Sequence, residues 1–294
     1  MIGAVRNGSR RRAPDPMSPP ADVALQLAVL LQAGVTPDRA WEHIVAAGAR
    51  DLAPLTDGGD RAVALARLGD QWAPLAAVWQ VAMTVGAPLA VTLRDAATAV
   101  RDADEVRDEI AVALAEPVAT ARLVAWLPAV AVLLSLALGF DLSAVVRSPI
   151  GIACLLAGVA LMLLARRWTR RLVARAQPAA GVAGIDADLV AIALSGGTSL
   201  DAARRAAAEA GHPVTVETVR ALELSMRAGV PAAELLRAQA ARQRRLARTD
   251  GRERAARLGS ALLLPLGVCT LPAFLLLGVA PMILGVLASG GGVI

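Results

Sequence analysis

Lysine is absent from this 294-residue chain, and so is tyrosine. All 30 basic residues are arginine, which with the abundant alanine and glycine we read as a mark of genomic base composition. Without lysine there is no Gly-x-x-x-x-Gly-Lys-Ser/Thr loop, so no P-loop cradles a nucleotide. Two cysteines, Cys154 and Cys269, exclude a disulfide scaffold. With only His43 and His212 beside them, they argue against a metal-ligand set, and no metal or other cofactor is expected. What is present is apolar. Hydrophobic residues make up 56% of the chain and mean hydropathy is +0.56, although 19% of residues are charged. This burial capacity excludes disorder of the whole chain. Charged and apolar residues must therefore occupy separate stretches, as in a protein partly embedded in lipid.

Three stretches lack charge. They are Leu123 to Phe140, Ser148 to Ala165, and all 37 positions from Leu258 to Ile294. A bilayer core takes about 20 apolar residues as a helix. We therefore place transmembrane helices at 122–140, 149–166 and 258–287. The third contains Pro265, Pro272 and Pro281 and is read as one kinked span, the alternative being a re-entrant hairpin broken near Pro272. Gly151 and Gly158 are seven apart in the second, on one face that permits close helix approach. No ionisable side chain lies inside a span, which argues against a transport pathway.

Arginine counting orients the chain. Residues 1–122 hold 12 arginines and 15 acids, a net charge of −3, while residues 166–257 hold 17 and 9, a net charge of +8. The loop 141–148 holds only Asp141 and Arg147. Cytoplasmic segments carry the excess of arginine. Segments 21–121 and 167–257 are thus expected in the cytoplasm, with the loop 141–148 and the tail 288–294 outside. Residues 1–20, rich in arginine and proline, are expected to be a flexible basic tail with no signal-peptide core.

The two long segments resemble one another. LQAGVTPDRAWEHIVAAG (31–48) aligns with LSGGTSLDAARRAAAEAG (194–211) at an offset of 163, pairing Gly34 with Gly197 and Thr36 with Ser199. AMTVGAPLAVTLR (82–94) aligns with SMRAGVPAAELLR (225–237) at an offset of 143, pairing Met83 with Met226, Gly86 with Gly229 and Pro88 with Pro231. Each match reads as helix, glycine stop, helix. The glycines suit left-handed positions after a helix. Thr36 and Ser199 suit N-caps, and Pro37 suits the first helical turn. The offsets differ by 20, so the connector between the two matches is shorter in the second segment. Nowhere is there sustained strand-like alternation. The expected fold class is all-α: two helical-bundle domains forming an internal repeat, and three membrane helices.

No motif establishes catalysis. LSGGTS (194–199) looks like a transporter-ATPase signature but has no P-loop beside it, and a helix-hairpin turn explains it. His43 and His212 lie in or beside helices with no nucleophile elbow. Asp102, Asp104, Glu105, Asp108 and Glu109 form a solvated acidic face, with Arg101 and Arg107 at helical spacing, better than a cation site. The helix 242–257 holds seven arginines, among them Arg242, Arg244, Arg245 and Arg248. It lacks the aromatics of a nucleic-acid platform. It is read as a contact for the anionic membrane surface or for an acidic partner.

The turns LLQAGVTPDRAW, VGAPL, LSGGTSLDAA and AGVPAAELL, in this order with the spans, resemble the F-domain family of type II secretion and type IV pilus machines. Within that family the likeness is greatest to the platform proteins of Flp/Tad pilus systems. It covers about residues 22–287. The resemblance implies a non-enzymatic platform in the plasma (inner) membrane. It also implies partners: a secretion motor ATPase, pilin or pseudopilin subunits, and a second platform subunit or further copies of the chain. The first segment departs from the family pattern at Asp51–Asp60, which reads as a loop. The competing readings are a small transporter or permease subunit and a membrane-anchored regulatory module. Topology is testable: a cysteine placed in 141–147 should react with an impermeant reagent only from outside, and labelling from the cytoplasmic side overturns the orientation.

Overall fold

The computed structural model describes residues 18–137, 149–176, 181–280 and 283. Most of the tail 1–20, the loop 141–148 and the tail 288–294 lie outside the described residues. The described residues form helices joined by turns, with no strand among them. The helices are α1 (Pro20–Gln32), α2 (Pro37–Ala46), α3 (Arg61–Arg67), α4 (Ala73–Val85), α5 (Leu89–Ala137), α6 (Pro149–Ala176), α7 (Ile185–Ser195), α8 (Leu200–Glu209), α9 (Val216–Ala228) and α10 (Ala232–Ala261). Helical turns then continue from Leu263 to Val279. The chain divides into two compact units, Met1–Ala103 with Ala180–Arg244, and Asp104–Ala179 with Arg245–Ile294.

The first unit is organised by α4. Its sequence, APLAAVWQVAMTV, has no charge, and a helix apolar all round must be buried all round. One face, with Leu75, Ala76 and Trp79, joins α1, α2 and α3 in a first core around Trp41, Leu27 and Leu65. Trp41 and Trp79 meet with ring centroids 5.5 Å apart. The other face, with Ala77, Val78, Val81 and Ala82, enters a second core with Leu189, Val190 and Ile192 of α7, Ala203 and Ala207 of α8, Leu222 of α9 and Leu236 of α10. Helices of both long segments thus share one core. Each leucine or valine fully withdrawn there contributes about 1.5–3 kcal/mol. On α8 the buried positions are alanines 203, 206 and 207, while Arg204 and Arg205 point to solvent. Such short side chains allow close approach to α7.

Between α2 and α4 lie residues 47–72, against only 210–215 between α8 and α9. The extra length holds a 3-10 helix, Arg50–Thr56, and then α3. The stretch 51–60 is therefore only half loop. Leu52 and Leu55 are fully buried in the first core. Pro54 inside so short a segment favours the tighter helix. Asp60 caps α3 by accepting from the Ala62 and Val63 amides.

In the second unit α6 runs antiparallel to the terminal helix. Leu172 and Val173 pack near Leu258 and Leu262, whereas Gly158 meets Leu277. A Cβ at Gly158 would lie 2.5 Å from Leu277 Cγ. Ile110 and Leu114 of α5 complete the packing. Two helices, Pro149–Arg175 and Ala232–Val279, are long and apolar enough to cross a membrane. The first apolar run is helix as far as Ala137, and its last residues, 138–140, lie outside the described ones. Leu123, Trp126, Leu127, Val130, Leu133 and Leu134 are all more than half exposed there. In the final run the helix continues through Pro265 and Pro272 by widening into π turns at Leu266–Thr270 and Leu275–Val279. Each proline lacks an N–H, and the wider turn re-pairs the carbonyls it leaves free. The chain does not reverse at Pro272, contrary to the hairpin alternative.

A buried carboxylate stands inside the first unit. Asp186, 5% exposed, accepts from the Thr215 amide (2.9 Å), the Thr215 hydroxyl (2.8 Å) and the Thr218 hydroxyl (2.7 Å). Burial pushes its carboxyl up, but these bonds outweigh burial and hold it below the ordinary value. A carboxylate of depressed pKa stabilises the fold above its unfolded value, near pH 4, and that stability is lost as pH falls through the folded value. Asp186→Ala orphans a buried hydroxyl and should cost about 1–3 kcal/mol in thermal unfolding in detergent. It should also remove part of the acid sensitivity below pH 4.

Candidate functional site

The glycine turns collect at one end of the first unit. Gly34, Gly86, Gly197 and Gly229 all have positive φ, between 67° and 88°, which glycine adopts without strain. The C-termini of α4 and α7 touch here: a Cβ at Gly196 would meet the Val85 carbonyl oxygen at 2.9 Å. Arg94, in the second turn of α5, donates to Gln32 at the end of α1, and Arg237, in the second turn of α10, donates to Ser195 at the end of α7. Thr36 and Ser199 stand as N-caps of α2 and α8, but only Ser199 bonds an amide, that of Ala202. Pro37 opens α2, and the Pro88 and Pro231 carbonyls accept the first bonds of α5 and α10. Beside these turns Met83 and Met226 are 54% and 65% exposed, and Val230 is 44% exposed. The signature-like LSGGTS is consumed by turn geometry, with the Ser195 and Thr198 hydroxyls donating to the carbonyls of Ala191 and Ala193.

The four arginines singled out on α10 divide into two kinds. Arg242 and Arg245 are exposed. Arg244 is 19% exposed and donates to Asp188 at 2.6 Å, with Asp102 on its other side at 3.9 Å. Burial pushes the Asp188 carboxyl up, and Arg244 only partly offsets it. One turn-pair earlier, Arg237 lies 3.9 Å from Asp95. These pairs line a cavity of about 250 Å³ floored by Val78, Ala99 and Ile185, and there they answer one another. Within the second unit Arg248 and Arg252 both bond Glu109, and Arg248 leads in holding its carboxyl below the ordinary value. The acidic face of α5 is thus not simply solvated, since Asp102 and Glu109 answer arginines of α10. Asp95, Asp102 and Glu109 are seven apart along α5, a spacing that sequence reading passed over. Arg101 pairs with Asp22 of α1, away from the acidic stretch, while Arg107 does pair with Asp104. His212 is half buried, which lowers its pKa, and Asp186 opposes this.

The helical order from α1 to the end of α5 now has a name. Residues 23–137 match the family model for the type II secretion system protein F. This segment is an F domain of that family. No curated protein and no solved structure matches the chain. The F domain includes the first core, the Gly34 and Gly86 turns and the apolar end of α5. It covers the segment containing the irregular 51–60 stretch, and the second helical segment lies outside the match. An F domain joined to apolar helices suggests a membrane protein of the platform type found in type II secretion and type IV pilus machinery.

The two kinds of arginine should respond differently to charge reversal. Arg244→Glu sets a second acid against the largely covered Asp188 and should destabilise the protein by about 3 kcal/mol. Arg245→Glu should stay within about 0.5 kcal/mol of the parent. Unfolding in detergent compares them.

Proposed function

We propose that the chain is a three-span inner-membrane platform of the Flp/Tad pilus type, with both helical segments in the cytoplasm. It couples a motor ATPase to the extraction of pilins or pseudopilins and is not itself an enzyme. The observation that carries this reading is the F domain running without a helix break into an apolar stretch. A duplication within the chain supports it. Arg94 with Gln32 and Arg237 with Ser195 are the same contact displaced by 143 and 163 residues, the two sequence offsets. Buried positions agree as well: Ala24 with Ala187, Leu27 with Val190, Ala40 with Ala203, and Leu93 with Leu236 are all 0% exposed. Energy comes from the partner, so the chain needs only a docking face and a firm membrane anchorage.

The end that gathers the four turns is the docking face we favour, because Met83 and Met226 present adaptable apolar side chains there. A transporter subunit is the lesser reading, since the apolar stretches hold no ionisable group to move a solute. The test is co-purification with a co-expressed secretion motor ATPase. Met83→Asp with Met226→Asp should reduce motor recovery on the order of tenfold, the loss of one modest anchor, without releasing the protein from the membrane. Arg242→Glu with Arg245→Glu tests the basic helix in the same assay. If the motor never co-purifies with the parent chain, the platform reading falls.

A further inference from the structure

The arginines of the second unit are not equivalent. Those of α10 mostly have acids beside them: Arg252 with Glu109, Arg254 with Asp250 and Arg257 with Glu253. Those of α6 do not. Arg166, Arg167, Arg170, Arg171 and Arg175 are all exposed, and none makes an ion pair among the described residues. The helix Pro149–Ala176 contains no acid at all. At 100° per residue the five spread over half of its circumference, opposite Leu172 and Val173, which pack into the bundle. Like charges three and four apart on a helix repel. Five arginines in ten residues therefore call for anions from outside the protein.

Position says which anions. The array begins directly after Ala165, where the exposed apolar side chains Ile150, Leu156, Leu163 and Leu164 end. Because α6 is antiparallel to the terminal helix, Leu172 and Val173 lie beside Leu258 and Leu262. Leu258 is where that helix loses its last charge. The terminal helix thus turns from charged to apolar beside the far end of the array, near Arg175, and its apolar side chains flank the arginines as far back as Arg166. Trp168 sits within the array, and indole rings favour that boundary.

We propose that the α6 array is a binding surface for the headgroups of anionic phospholipids, held by the assembled protein and not only used to orient it during insertion. The guanidinium fork suits phosphate oxygens, and each arginine near an anionic surface adds attraction. The proposal rests on the membrane reading above. Its test uses the full-length chain in nanodiscs of phosphatidylcholine mixed with phosphatidylglycerol, with retained lipid counted by native mass spectrometry. Carbonate extraction of the same membranes reports insertion separately. The parent should retain phosphatidylglycerol over phosphatidylcholine, and 1 M salt should abolish that preference.

Replacing Arg167, Arg170, Arg171 and Arg175 by glutamine should lower the preference at least threefold. Replacing them by lysine should largely keep it, and Arg254→Gln with Arg257→Gln on α10 should leave it unchanged. An inserted parent with no preference, or with one that salt does not touch, overturns the proposal even if the glutamine variant fails to insert. So does an α10 variant that loses as much as the α6 variant. A parent extracted by carbonate overturns the membrane reading instead.

Discussion

A helix with no charge on any side cannot be satisfied by one neighbour. In α4 this constraint decides the architecture of the first unit. Leu75 and Trp79 need α1 to α3, while Val78 and Val81 need α7. The second requirement draws two stretches far apart in sequence into one core. α7 keeps its two acids to its first turn, and Ala187 and Leu189 to Ala193 are all buried. Removing either helix would expose several side chains, each withdrawn from water at about 1.5–3 kcal/mol. The two segments are therefore coupled through packing, and the starts of α5 and α10 are held at the same end of the unit.

Charge is managed by a different rule in each place. Inside the first unit every buried carboxylate has a specific answer. Asp186 is held ionised by hydroxyl and amide donors, and Asp188 faces Arg244. Their pKa values move in opposite directions because Asp186 collects three short hydrogen bonds that outweigh its burial, while Asp188 has essentially one cation, which does not. Along α10 the arginines are largely neutralised by acids of α5 or of α10 itself. The net charge of +8 on residues 166–257 therefore overstates what that segment offers to a partner. Five of its eight net charges sit on α6, which holds no acid.

Much of this was legible in the sequence. The all-helical class, the glycine positions, the N-cap of Ser199 and the charge-free runs are local properties, and periodicity and composition report those well. Sequence reading separated the helical segments into two domains because the spans lie between them in the chain, and nothing local shows that Val78 and Val190 share a core. It saw residues 51–60 as loop because Pro54 and Gly58–Gly59 dominate the composition, whereas Leu52 and Leu55 are bound by tertiary contacts. It assigned Arg244 to an outside partner because its acid, Asp188, is 56 residues away. The acids at 95, 102 and 109 repeat every seven residues, but a period on one helix does not reveal which helix answers it.

Under the proposed duplication, the contact between α4 and α7 should have a counterpart between α9 and α1. The positions that would make it have changed character. Pro74, Ala77 and Val81 of α4 correspond to Glu217, Arg220 and Leu224 of α9, and Ile185, Leu189 and Ile192 of α7 correspond to Asp22, Gln26 and Val29 of α1. The first set in each pair is buried or nearly so, and the second is exposed. Two copies related by a twofold axis would use both contacts, so this chain pairs its copies through one only. A polar counterpart face has a physical consequence: an apolar one would remain open at each end and let chain after chain add on, as a head-to-tail contact that does not close. Charged and amide side chains at 22, 26, 217 and 220 cost little in water and must be desolvated to be covered. The pairing thus ends within a single chain, and any assembly of several copies has to use another surface.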